Sequence, residues 1–363
     1  MELEALISEQ LASMNLTGLD QLIDLAGTKE NLFNTMSLSE IIKGIVTGDP
    51  LFSFQVIFDN LQRIFLSEIY GSILLGVQLV MICIIMGMLT NFSNSFGEET
   101  VSNLATMVCS CSVIALSLKS LMDVYVLCSD TVDIMTGTMQ VLLPILVPLL
   151  IAMGGFASGG ALNPMIVGAI TIFNSMIQKM ILPAIFLSCV FLLVNSLTER
   201  DYVKKLAYFM RNFAVFLLGF CITVFSGLTV MQGLVTRTAD GMLAKTARYS
   251  MDNFVPIVGG FAADSMDMVI SCTTIIKNGI GIFGLLFIIT LLAFPLIKLL
   301  AVALIYKVTA IIIEPIGNKA VSDCINDMGN SIITMAVVVF LSAMMFLIFL
   351  SIIIGIGGGR LWG

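Results

Sequence analysis

The residues best placed to do chemistry in this chain are charged side chains stranded in apolar sequence. Asp264 and Asp267 stand three apart, so on a helix they share one face. They fall in a stretch, residues 254–276, that is interrupted by Pro256 and by Gly259 and Gly260. A charge at the centre of a bilayer costs about 2.5–3.5 kcal/mol on insertion scales, so each needs water, an opposite charge or a route to the interface. Lys119, Lys179, Lys277 and Lys298 are the cations on offer. One reading is a hydrated path or ion-coupling site. The other is that the lysines snorkel to the interface and the aspartates cap helix starts. Asp130 and Asp133 repeat the three-residue spacing. Four carboxylates could bind a divalent cation, but nothing in the sequence brings the two pairs together, so this pair reads as solvated connector residues.

Most other chemistry is excluded by composition. The chain contains no histidine, which removes the commonest metal ligand and the commonest general base. The eight cysteines lie mostly in apolar runs without a C-x-x-C and read as small hydrophobes. Gly279-Ile280-Gly281-Ile282-Phe283-Gly284 fits G-x-G-x-x-G, yet it follows no predicted strand and opens an apolar run. Close helix packing through small residues explains it better, as it does the GxxxG at Gly155–Gly159. No nucleophile elbow or S-x-x-K stands in a suitable context. No enzyme, catalytic residue, cofactor or metal site is therefore expected.

The elements that must position these charges are membrane helices. Of 363 residues, 58% are hydrophobic and 11% charged, with a mean hydropathy of +1.05. Soluble domains carry roughly 25% charged residues. In lipid the backbone must satisfy its own hydrogen bonds, leaving helices or closed barrels, and long apolar runs favour helices over alternating strands. The expected fold is an all-α polytopic integral membrane protein with six full spans, near 70–92, 104–128, 165–196, 207–232, 278–306 and 325–354. A net charge of −7 argues against nucleic acid as a partner. Residues 1–64 read as an amphipathic extramembrane arm, and residues 65–363 as the transmembrane domain. The first residues carry neither a basic n-region nor an apolar h-region, so no signal peptide is expected in this sequence.

Two further apolar stretches are broken by proline and glycine. Residues 141–156 contain Pro144, Pro148, Gly154 and Gly155; residues 254–276 contain Pro256, Gly259 and Gly260. Val147-Pro148 leads into Gly154-Gly155-Phe156, and Val255-Pro256 into Gly259-Gly260-Phe261. Each is preceded by a span and a polar connector, 129–140 or 236–253, and followed by a helix carrying Pro183 with Lys179, or Pro295 with Lys298. The expectation is two tandem units, roughly 70–196 and 207–313, plus a closing helix at 325–354, with both broken stretches re-entrant. Such paired interruptions point to a transport site. The short charged links near 96–104, 197–206 and 316–324 correspond and would share one face. Arg200, Lys204, Lys205, Arg211, Lys307 and Lys319 on that face mark it as cytoplasmic, against Arg237, Lys245 and Arg248 opposite.

The string Asn253-Phe254-Val255-Pro256-Ile257-Val258-Gly259-Gly260-Phe261, then Asp264-Ser265-Met266-Asp267, then Lys277-Asn278-Gly279-Ile280-Gly281-Ile282-Phe283-Gly284, resembles the stage III sporulation protein AE family of spore-forming Firmicutes. The resemblance covers essentially the whole chain. It implies a non-enzymatic membrane component of a secretion-like channel complex that serves mother cell to forespore transport. Its implied place is the mother-cell-derived outer forespore membrane. Its implied partners are a secretion-type ATPase and ring-forming membrane subunits, with a homo-oligomer possible. The rival from the residues alone is a stand-alone secondary transporter with its site between the two broken segments.

Overall fold

The computed structural model describes residues 54–96, 99–153, 168–196, 202–254, 259–315 and 319–355. Residues 1–53, most of the expected arm, lie outside the described residues. Six helices follow one another: α1 (Phe54–Phe96), α2 (Glu99–Ala152), α3 (Gly168–Asn195), α4 (Lys204–Phe254), α5 (Gly259–Ile313) and α6 (Lys319–Gly355). Each contains a run long and apolar enough to cross a membrane, and among the described residues there is no strand. The chain is an integral membrane protein of the class its composition dictates.

The packing fixes the directions. Glu68 of α1 meets Lys298 of α5, and Gly76 meets Ile305 and Thr309, so α1 and α5 run parallel. Gly281 and Gly284 of α5 meet Ile354 and Leu350 of α6, and Lys307 meets Asn326, so α5 and α6 run antiparallel. The described helix ends Phe96 and Glu99, Asn195 and Lys204, and Ile313 and Lys319 therefore share one end of an up-and-down bundle. A bend and a polar contact close the second of these pairs: the Val203 amide donates to Asn195 Oδ1 at 3.2 Å, and Ser188 Oγ donates to the Ala207 carbonyl at 2.7 Å.

Small residues set the closest approaches. A Cβ on Gly281 would collide with Ile354 Cγ1, and one on Gly284 would lie 2.8 Å from Leu142 Cδ1. The glycine pattern is thus a helix-packing device joining α5 to α6 and α2, which is how small residues serve membrane helices. Within the apolar windows, 56% of α2 and 50% of α6 are buried, against 28% for α1 and α4. The first pair is central and the second peripheral.

The broken stretches behave otherwise than expected. Residues 141–152 continue α2 without a break at Pro144 or Pro148, and residues 259–276 are the opening turns of α5. Neither described piece dips back as a separate re-entrant element. A proline removes one intrahelical donor, but neighbouring helices hold the rest of the turn, because Leu142, Leu143, Leu146, Leu149 and Leu150 of α2 are all buried. Both α2 and α5 are long, with 54 and 55 residues, or about 80 Å of helix. Helix α4 is nearly as long, with 51 residues.

Candidate functional site

The site begins with the outward face of α2. At 100° per residue, positions 119, 123, 126, 130, 133, 137, 140, 144 and 148 fall on one side of a helix. In this chain they are Lys119, Asp123, Val126, Asp130, Asp133, Gly137, Gln140, Pro144 and Pro148, and all but the half-buried Gly137 are exposed. The opposite face carries Cys128, Val132, Met135 and Met139, all fully buried. The hydroxyls on the inner side are satisfied locally: Thr131 donates to the Leu127 carbonyl, Thr136 to Val132 and Thr138 to Ile134. These three threonines therefore need no outside partner.

The depth of this face follows from α3. Gln178 Nε2 donates to Asp133 Oδ1, and Gln178 sits near the middle of the 28-residue apolar span Gly168–Asn195. Asp133 thus lies at the level of a membrane span's middle. Residues 129–140, expected as a surface connector between elements, are an internal stretch of α2 at that level. From Lys119 to Gln140 the face covers about 30 Å of helix, the thickness of a bilayer's hydrocarbon core. Among the described residues Lys119, Asp123, Asp130 and the neighbouring Lys179 of α3 have no ion pair. On insertion scales each such charge facing lipid costs about 2.5–3.5 kcal/mol at the bilayer centre. Pro144 and Pro148 add to the polarity, because they cannot donate to the carbonyls of Gln140 and Pro144 on the same side.

Gln178 reaches Asp133 from an irregular turn. Residues Ile177–Ile181 form a π-turn in which the Leu182 amide donates to the Ile177 carbonyl, five residues back. Pro183 explains it: the ring crowds the carbonyl four residues earlier, that of Lys179, and widening the turn relieves the clash. Lys179 is exposed on this turn.

The other expected residues are dispersed. Lys298 Nζ lies 4.0 Å from Glu68 Oε2 and 5.8 Å from the Phe294 ring centre, so its partner is on α1. Lys277 is fully buried and donates to the carbonyls of Ile353 and Ile354 at 3.3 and 3.1 Å, at the end of α6. There an ammonium serves as donor to carbonyls in the last described turn of α6. Asp264 and Asp267 belong to α5, but their side chains lie outside the described residues, as do Gly154, Gly155 and Pro256. Gly259 and Gly260 open α5. Pro148 is placed on the outward face of α2.

Several polar groups emerge that spacing alone did not single out. Lys307 Nζ donates to Asn326 Oδ1 at 2.8 Å and to Asn330 Oδ1, its stem lying across Gly329, where a Cβ would be 3.2 Å from Lys307 Cγ. The Tyr208 hydroxyl donates to Asp327 Oδ2 at 2.9 Å, with Arg211 stacked 5.1 Å above the Tyr208 ring. These contacts tie α4, α5 and α6 together near the short links. The i, i+4 spacing of Asn326 and Asn330 was a visible signal; their lysine was not.

Comparison with known proteins gives the family. Residues 36–357 match the family described as stage III sporulation protein AE. The chain is 32% identical over 323 residues to the stage III sporulation protein AE of Bacillus subtilis (strain 168), covering 88% of this chain and 79% of that protein. No solved structure matches. A family match over most of a six-helix membrane chain, joined to a relative at this identity, leads to one conclusion: the chain belongs to the stage III sporulation protein AE family, and its role lies in sporulation.

Proposed function

We propose that this protein is a non-enzymatic membrane component of a multiprotein channel complex that carries material from mother cell to forespore. It works from the outer forespore membrane, with a secretion-type ATPase and ring-forming subunits as its partners. The observation that carries the reading is the outward face of α2. Among the described residues, a bundle with many exposed apolar side chains presents Lys119, Asp123 and Asp130 without an ion pair on one helix face. Such a face is costly for a protein that works alone in lipid and natural for one that is a wall of a larger assembly. The energy for transport comes from the ATPase, since none of the chemistry expected of this chain supplies it.

The test is genetic. In a spore-forming host lacking its own copy, the triple variant Asp123→Asn, Asp130→Asn, Asp133→Asn is compared with wild type at equal membrane abundance. A fall of at least tenfold in heat-resistant spores is expected. Full sporulation by the triple variant would remove the reading. Solute uptake by the purified chain alone in liposomes would replace it with a stand-alone transporter.

A further inference from the structure

The Lys307 cluster does more than join two helices, because its hydrogen bonds leave donors over. A lysine ammonium only donates, so Asn326 and Asn330 both turn Oδ1 towards Lys307 Nζ. Each amide then keeps its Nδ2 hydrogens, and the ammonium keeps one of its three. Among the described residues none of these spare donors has an acceptor, and all three residues are half-buried, open on one side.

The depth of the cluster is fixed by two helices. Residues 331–355 of α6 carry no charge, about 37 Å of helix and enough to cross the hydrocarbon core. Asn330 stands immediately before that run, and Lys277 donates to Ile353 and Ile354 at its far end. On α4 the charge-free run begins after Arg211, which stacks on the Tyr208 ring while the Tyr208 hydroxyl reaches Asp327. Both helices therefore put the edge of the core at the level of Lys307. The polar headgroups of the bilayer begin at that edge.

The surroundings suit a whole lipid. From the cluster towards the core, α5 exposes Leu300 and Leu304 and α6 exposes Ile333 and Val337, an apolar seam at the height of acyl chains. Towards the short links, Asp323 is exposed one turn before Asn326 on the same face of α6. The other nearby carboxylate, Asp327, is taken by Tyr208. Donors at the phosphate level with a carboxylate one turn further out match a headgroup whose phosphate is followed outward by an amine. An anionic headgroup would meet Asp323 with like charge. A choline headgroup has no N–H to give it.

We propose that Lys307, Asn326 and Asn330 hold the phosphate of an ethanolamine phospholipid whose ammonium pairs with Asp323. The site stands on the membrane setting alone and is independent of the channel reading above.

The test uses the full chain in micelles holding equal amounts of phosphatidylethanolamine, phosphatidylglycerol and phosphatidylcholine, with bound lipid counted by native mass spectrometry. Wild type should retain phosphatidylethanolamine about fivefold over either rival, the upper end for an exposed charge pair. Lys307→Met, which keeps a stem across Gly329, should lose that retention. Asp323→Asn changes an exposed residue, so it still reports if Lys307→Met fails to accumulate. It should go on retaining lipid but lose the preference over phosphatidylglycerol, which a merely structural role for Asp323 would not produce. Added inorganic phosphate should leave the bound lipid in place. Equal retention of the three lipids by wild type, or an unchanged preference in either variant, would overturn the proposal. Displacement of the lipid by inorganic phosphate would overturn it too, in favour of a soluble anion.

Discussion

Helices α2 and α5 invite comparison, being nearly equal in length, both interrupted by proline and both charged within their apolar runs. In α5 every described lysine is held inside the chain: Lys277 by the last carbonyls of α6, Lys298 by Glu68, and Lys307 by Asn326 and Asn330. In α2 only Asp133 finds a described partner, Gln178, while Lys119, Asp123 and Asp130 point outward without one. Charges that a membrane protein keeps for its own architecture come with their counter-groups. Charges left without them describe the surroundings the protein expects.

Five substitutions, with one control, can break or sharpen this contrast. The largest effect belongs to Gly281→Leu. A side chain there drives α6 away from α5, and a loss of about 3 kcal/mol or more is expected, seen as aggregation on gel filtration or failure to accumulate in the membrane. Gly219→Leu, at an open position of α4, should leave both unchanged. Next comes Lys277→Met, which removes the donor to the Ile353 and Ile354 carbonyls; a loss of about 2 kcal/mol is expected in thermal unfolding in detergent micelles. A rise in stability would show that the lysine is a burden. Tyr208→Phe removes one hydrogen bond to Asp327 and should cost about 1 kcal/mol in the same measurement. The smallest belongs to Glu68→Gln, since a loose, partly exposed pair contributes under about 1 kcal/mol. Asp130→Asn should move the other way from all of these, leaving unfolding unchanged or slightly later while lowering the spore count.

The six spans were legible because a run of about 20 apolar residues has few alternatives. So was the packing role of the glycines at 279–284, since no strand precedes them. The character of residues 129–140 was not. Their charges recur at 3.6-residue spacing in continuation of Lys119 and Asp123, but in sequence such polarity reads as leaving the membrane. What overrides it is the buried inner face of Cys128, Val132, Met135 and Met139, whose partners come from distant helices. The same limit hid Glu68 as the neighbour of Lys298 and Asn326 as that of Lys307, because pairing across a bundle leaves no local spacing. The prolines of α2 misled for a related reason. An isolated helix breaks at Pro144, whereas one clamped by neighbours along its leucine side does not.

The widened turn at Ile177–Ile181 has a consequence for how this family can change its length. One surplus residue there offsets the angular phase of everything on its N-terminal side by about 100°. Removing Met180 would restore regular winding and swing Gln178 away from Asp133, although every side chain near that contact would survive. A single-codon loss in α3 should therefore do more harm than most substitutions in the same stretch. A compensating change would have to come as another lost or gained residue, not as a new side chain.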